Sequence, residues 1–452
     1  MVKEKSFYAT LIKLALPMAL QNLITFGVAL ADNFMVGSLG DLSLSGVFIS
    51  NQVHWLLQML SAGLGSAMVV LAAQYLGKGD TRNARVVVSI AMKLGFYVGI
   101  FFTIAVILLP RQILGLFSRD EAVIAEGMKY IGIVCFTYIF FVLNQVFLAA
   151  LRCVQNTRIG FISSFIGFCL NVFLNWVLIF GRLGFPALGV RGAAIATLIA
   201  RMVEMLVSLV YFRFVDKNLV FRFVDLRLKT PGIVRDFFRY GFPVILGDIF
   251  WGIAGATQVA ILGRLGSEIL AANTIAANLH QLFGVVVYAI AGASGVIIGR
   301  TVGSGDVSKV KEYAGTLQVI FICFGLVTGI AIFFARSAIL ASGFPNISGE
   351  AHRYALQFLI VFSVTIVGTS YQMSVLTGIV RAGGATSFVL INDLIHVWLI
   401  VIPSALLSAF VFHFPPVVTF ACLKSDQILK CWVAVVKLNR WNWMKKLTRD
   451  AA

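Results

Sequence analysis

The chain has 452 residues, 60% of them apolar and only 12% charged, with a formal net charge of +17 and a mean hydropathy of +0.94. Soluble domains carry about 25% charged residues. A chain of this length with so little polar surface could not cover itself in water, whereas lipid requires no such cover, so composition excludes a soluble globular enzyme.

The apolar residues fall into blocks of about twenty, long enough for a helix to cross about 30 Å of hydrocarbon. In chain order the spacing predicts spans at 14–36, 47–76, 87–109, 129–151, 159–181, 190–212, 240–262, 273–299, 314–335, 354–379, 386–411 and 416–436. The first run is too long for the apolar core of a signal peptide and lacks an A-x-A site, so no cleavable leader is expected. Lys424, Asp426 and Lys430 interrupt the last span, for which an amphipathic interfacial helix is the alternative. The 41 glycines sit inside the blocks, as close helix contact in lipid favours. The six cysteines (Cys135, Cys153, Cys169, Cys323, Cys422, Cys431) are scattered through apolar runs without C-x-x-C spacing and read as buried thiols.

Between the sixth and seventh spans, residues 213–239 carry seven basic residues and an alternating apolar pattern broken by Pro231. This reads as a membrane-hugging connector. The expected organisation is an all-α membrane protein: a six-helix lobe over 1–212, the connector 213–239, and a second six-helix lobe with a basic tail over 240–452. Of the 36 Lys and Arg, 24 lie at the N-terminus, in the even-to-odd connections and at the C-terminus; 8 lie in the opposite loops, counting Lys129 and Arg191 at the span edges, and 4 deeper within spans. This positive-inside bias puts both termini in the cytoplasm of a plasma-membrane protein. The basic charge is orientation and attraction to anionic lipid, with no nucleic-acid partner implied.

The sequence repeats. At an offset of 226 residues Pro17 falls on Pro243, Gly37 and Gly40 of GSLG on Gly263 and Gly266 of GRLG, His54 on His280, and the G-K-G-D of 77–80 on the G-S-G-D of 303–306. Further on, Arg152 of LRCVQNT pairs with Arg381 of VRAGGAT, and Trp176 with Trp398. A repeat of six helices is a parallel duplication about an axis along the membrane normal. Transporters built this way bind substrate near the midplane between halves.

Five acids fall within the spans: Asp32, Glu204, Asp248, Asp393 and Asp426. An acid at the bilayer centre costs about 2.5–3.5 kcal/mol on insertion scales, so each must be functional or paired. Glu204 has Arg201 one turn earlier and Asp426 has Lys430 one turn later, so both read as structural ion pairs. Asp393 precedes His396 by one turn, and Asp248, just past Pro243, has no basic neighbour three or four residues away. Both are candidate substrate or coupling acids. Asp32 stands alone on its helix, fifteen residues after helix-bending Pro17, and is the strongest functional candidate. His54 and His280 have no carboxylate or cysteine at metal-ligand spacing and read as polar packing positions. No Walker-type loop, nucleophile elbow or H-E-x-x-H helix occurs, so neither ATP-driven transport nor catalysis is indicated.

The residues ALADNFMVGSLG, the G-K-G-D turn, LRCVQNTR and LNVFLNWVLIFG followed by GVRGAAIAT, with the repeat copies GRLG, GSGD and VRAGGAT, resemble the multidrug and toxin extrusion (MATE) transporters from about Thr10 to about Arg440. The resemblance implies twelve helices in two lobes, a central cavity, and export of drugs or metabolites driven by sodium ions or protons, with no other cofactor. In that family Asp32 matches the coupling carboxylate of the first helix. Asn171 matches a supporting amide of the fifth helix, and Thr197 resembles a hydroxyl of the sixth. Asn175, four residues from Asn171, puts a second amide on the same helix face. Such a set suits sodium, which takes oxygen ligands, and equally a protonatable aspartate in a hydrogen-bond network. Two departures leave subfamily and ion open: the archaeal and DNA-damage-inducible-F-like branch has a second Asp where this chain has Asn175, and the NorM-like branch has an acid where 354–379 has none.

Three function classes follow: a cation-coupled exporter of lipophilic cations acting as a monomer among membrane lipids, a flippase for lipid-linked oligosaccharide, or a membrane enzyme or scaffold. The 57 aromatic residues and the acidic balance within the spans favour the first, since ring faces and a carboxylate hold cations. A flippase would line its cavity with basic residues for pyrophosphate. The topology is checked by a cysteine introduced at Asn218, which should react with an impermeant reagent only after permeabilisation; labelling in intact cells would overturn it.

Overall fold

The structure is a computed structural model and describes residues 1–228, 230–343 and 348–449. Lys229 of the connector and the last three residues of the basic tail lie outside the described residues. Among the described residues the regular elements are all helical. In hydrocarbon no water can satisfy a backbone amide, so each crossing segment must bond to itself. The helices are α1 (Lys5–Gly37), α2 (Asp41–Gly77), α3 (Thr81–Leu108), the short α4 (Pro110–Gly115), α5 (Glu121–Val134), α6 (Thr137–Cys153), α7 (Arg158–Phe180) and α8 (Val190–Val215). They continue with α9 (Pro231–Gly263), α10 (Ser267–Ser304), α11 (Val307–Ala341), α12 (Gly349–Val380), α13 (Thr386–Val411), α14 (Pro416–Leu423) and α15 (Asp426–Asn439).

Ten of these are long and apolar enough to cross a membrane, and α5 with α6 makes an eleventh, bent by 53°. The predicted straight span at 129–151 is therefore the bent pair 121–153. The twelfth predicted span is broken at Lys424 and Ser425 into α14 and α15. Its charges do not turn to water as an interfacial helix would require: Asp426 and Lys430 are buried and pair at 3.3 Å. The connector is shorter than its basic pattern suggests, because α8 runs on to Val215 and α9 begins at Pro231. Between them the Asp216 carboxylate accepts from the amides of Leu219 and Val220, and Asp225 accepts from the Arg222 amide and pairs with Arg85 at 3.5 Å.

The chain divides into two compact units, Leu16–Ala72 with Asp80–Phe238, and Met1–Ala15 with Ala73–Gly79 and Arg239–Ala452. Lipid tails are as apolar as leucine, so helix association rests on close packing and hydrogen bonds rather than on escape from water. In the first unit, a Cβ on Gly99 of α3 would stand 2.8 Å from the Ile139 backbone of α6, and one on Gly192 of α8 would stand 2.5 Å from the Leu178 carbonyl of α7. In the second, Phe358 and Phe420 stack at 4.1 Å in a core that includes Phe362, Ile366 and Val401. There too the end of α2 meets the end of α10 through reciprocal glycines, Gly77 against the Arg300 carbonyl and Gly303 against that of Gln74. The C-terminal segment closes over this crossing: the Leu447 amide donates to Gln74 Oε1 at 2.9 Å, and Trp443 is fully buried.

The repeated G-x-G-D motifs are turn chemistry. Gly79 and Gly305 have φ of +83° and +81°, a conformation only glycine adopts without strain, and each precedes an aspartate. Asp80 and Asp306 then accept from the Asn83 and Lys309 amides, both at 3.0 Å, starting α3 and α11. Gly99→Ala should lower the melting midpoint of detergent-solubilised protein, at a cost of about 1–3 kcal/mol for forcing α3 from α6. Gly132→Ala, where a Cβ meets nothing within 4 Å, should leave the midpoint unchanged.

Candidate coupling site

In the first unit, α1 runs alongside α7, with Gln21 over Gly160 and Gly27 opposite Phe168. One register step further brings Asp32 to Asn175, whose Nδ2 donates to Asp32 Oδ1 at 2.5 Å. The same Nδ2 donates to Asn171 Oδ1 at 3.2 Å, Asn171 Nδ2 donates to Thr197 Oγ1 at 3.4 Å, and Thr197 donates to the Ala193 carbonyl at 2.9 Å. The four residues Asp32, Asn171, Asn175 and Thr197 thus form one hydrogen-bonded line across α1, α7 and α8. Asn171 and Asn175 are buried, and Asn175 Oδ1 has no partner among the described residues. A buried amide oxygen without a donor, next to a carboxylate, is the donor set that a hard cation or a protonated carboxyl would complete.

Two further residues join this site that helix-by-helix reading did not assign to it. Tyr130 of α5 is buried with its hydroxyl beside Thr197, and Arg201 lies close enough to act electrostatically on Asp32. Arg201 was legible as the partner of Glu204, which it meets at 2.8 Å, but not as a neighbour of Asp32. Its spacing of four from Thr197 on α8 was the available signal. The charges gathered here are Asp32, Glu204 and Arg201, one negative charge in excess. Among the described residues Asp32 has no ion pair within 4 Å.

Asp248 and Asp393 belong to the other unit, and both are paired there. Asp248 meets Arg381, 133 residues away, at 3.1 Å. Asp393 meets Lys430 at 2.8 Å, while His396 bonds instead to the Asn392 carbonyl. Lys430 also holds Asp426, to which Gln427 donates, and Gln427 accepts from Gln372 at 2.8 Å. Lys424 donates to Gln258 at 3.1 Å. Arg381 and Lys430 thus pair with all three acids, Asp248, Asp393 and Asp426, and with Lys424 counted the charges of this cluster sum to zero. His54 and His280 lie against aromatic rings, Phe141 at 4.7 Å and Phe362 at 5.4 Å. Among the described residues no group of three His, Cys, Asp or Glu could hold a metal ion.

The MatE family model matches the chain twice, at residues 17–177 and 243–416. The two matches begin 226 residues apart, the offset of the repeat. The chain is 26% identical over 446 residues to the Thermotoga maritima protein named "Probable multidrug resistance protein NorM", covering 97% of this chain and 94% of that one. It is 28% identical over 334 residues to the Vibrio cholerae multidrug resistance protein NorM, covering 73% and 71%. Its fold superposes on the crystal structure of a mutant of the Vibrio cholerae MATE transporter VcmN with a TM-score of 0.88, at 18% identity over 98% of each chain.

Arg381→Gln would leave the half-buried carboxylate of Asp248 without its partner and should destabilise the protein, by less than the roughly 3–5 kcal/mol of a fully buried pair. Adding Asp248→Asn should recover most of that loss, as read by melting midpoints of the solubilised variants.

Proposed function

Because the chain belongs to the MatE family, we propose that it is a secondary active antiporter that exports lipophilic, cationic drugs or metabolites in exchange for sodium ions or protons. The observation that carries this reading is the excess negative charge around Asp32, held by an amide rather than by a basic side chain. A carboxylate with a fixed basic partner has no use for a mobile cation. One held by an amide can take a proton or a sodium ion and release it again at small cost. Asn171, Asn175 and Thr197 supply the neighbouring oxygens, and the names of the relatives support multidrug export.

The cluster around Asp248 and Asp393 is given a structural role, holding α9, α13 and α15 to one another and to α12, through Arg381 just past its end and through Gln372. The helix α12 carries one acid, Glu350 in its first turn, so no carboxylate there competes with Asp32 for the coupling role. The protein works by alternating access as a monomer in the plasma membrane, both termini cytoplasmic, without a cofactor beyond the coupling ion. One charge crossing 100 mV is worth about 2.3 kcal/mol, roughly fifty-fold in substrate concentration. Loose recognition of substrate by ring faces, about 0.5–2 kcal/mol each, suits a carrier that must also let go.

Asp32→Asn keeps the size of the side chain and removes its charge, so efflux of a cationic dye driven by a sodium or pH gradient should collapse while the protein still folds. Asp248→Asn should transport at a reduced but substantial rate. Full gradient-driven efflux by Asp32→Asn would sink the assignment.

A further inference from the structure

Two facing helices of the first unit meet through a ladder of side chains. Ser163 Oγ of α7 donates to the Glu204 carbonyl of α8 at 2.9 Å. Gly167 leaves the space that the Glu204 carboxylate fills, since a Cβ there would stand 2.2 Å from Glu204 Oε1. Asn171 reaches Thr197, and Asn175 reaches Asp32. Arg201 lies on α8 one turn from both Thr197 and Glu204, so it sits between the Glu204 rung and the Asp32 line. Its guanidinium donates to Glu204 Oε2 at 2.8 Å and lies over the Phe141 ring, 5.4 Å from the centroid. It is largely buried and close enough to act electrostatically on Asp32, on Tyr130 of α5 and on His54 of α2.

A guanidinium cannot shed its proton, so Arg201 is a permanent cation beside the carboxylate that the coupling ion must occupy. It also has five donors on a rigid fork and can serve two carboxylates at once. A bare carboxylate in a medium of low dielectric is costly, so some cation must answer Asp32 at each stage of a cycle. We propose that Arg201 is the internal counter-ion of Asp32: it bridges Glu204 and Asp32 when the coupling cation leaves, and draws back to Glu204 alone when that cation binds. The coupling cation and the guanidinium then compete for one carboxylate. Glu204 sets how far Arg201 can reach, and Arg201 and Glu204 are positioning residues for Asp32. This rests on the reading of Asp32 as the coupling acid.

The test uses the purified full chain in detergent and two probes of Asp32: equilibrium binding of radioactive sodium at fixed pH, and the pH midpoint of the carboxyl infrared band without sodium. The double variant Arg201→Gln with Glu204→Gln leaves the net charge of the site unchanged but removes the competitor. It should bind the cation about tenfold more tightly, or protonate about one pH unit higher, and should export dye more slowly because release is hindered. Glu204→Gln alone frees Arg201 toward Asp32 and should weaken binding by a similar factor. Arg201→Lys, which keeps the cation but loses the fork, should move affinity the same way as the double variant by a smaller factor, and serves if the double variant does not fold. A merely structural ion pair would lower stability in each variant without opposite changes in affinity. Unchanged or weaker cation binding in the double variant, with Asp32→Asn abolishing binding, overturns the proposal and leaves the Asp32 reading standing. Cation binding that survives Asp32→Asn overturns that reading itself.

Discussion

A charge in hydrocarbon has to be answered by another group within a few ångströms, and the organisation of this protein follows from where that is done completely and where it is not. In the second unit, three acids from α9, α13 and α15 are each ion-paired, Asp248 to Arg381 and both Asp393 and Asp426 to Lys430, and Lys424, which donates to the Gln258 amide, brings the count of bases to three. Such a network is expensive to break and offers a mobile cation nothing, so it holds helices together. In the first unit, Arg201 answers Glu204 and leaves Asp32 to an amide. That incomplete answer is where ion coupling can be built, because a group already neutralised cannot carry a gradient's ion.

The duplication makes this contrast sharper. At the offset of 226, Asp32 corresponds to Gln258; at the offset of 222 that aligns Trp176 with Trp398, Asn171 corresponds to Asp393, Thr197 to Thr419, Glu204 to Asp426 and Ser208 to Lys430. Where the first helix of one copy has a carboxylate the other has an amide, and where the fifth helix of one has an amide the other has a carboxylate. The second copy has a lysine where the first has a serine. Both copies keep the turn glycines and their capping aspartates, because positive φ and an unsatisfied helix start constrain the backbone of each copy in the same way. The polar side chains differ between the copies, and the difference leaves an amide-held carboxylate in one and ion-paired carboxylates in the other.

Close packing without a hydrophobic driving force explains the many glycines. Gly99, Gly167 and Gly192 each face backbone or a carboxylate so closely that a methyl group would collide. At Gly167 the missing side chain has a direct consequence for the site, since the Glu204 carboxylate, and through it Arg201, takes the vacated space. The positions of the charges thus depend on small residues that carry no charge.

The sequence by itself determined what depends on short-range spacing and composition. The membrane class follows from too few charges to cover 452 residues. The crossing helices follow from apolar runs, and the duplication from matching turns. The pairs Arg201–Glu204 and Lys430–Asp426 follow from spacings of three and four, because a helix places such residues on one face whatever surrounds it. Asp32 stood out for the same reason, having no base within reach on its own helix. Only the tertiary structure decided which acids were truly alone. Asp248 lacked a local partner too, yet Arg381 reaches it from 133 residues away, and Lys430 turns out to serve Asp393 as well as Asp426. The bend between α5 and α6 and the break at Lys424 were likewise beyond the pattern, since apolar runs mark where a helix can lie in lipid but not where packing interrupts it. Spacing fixes contacts within a helix; contacts between helices depend on crossing angle and depth, which no run of residues encodes locally.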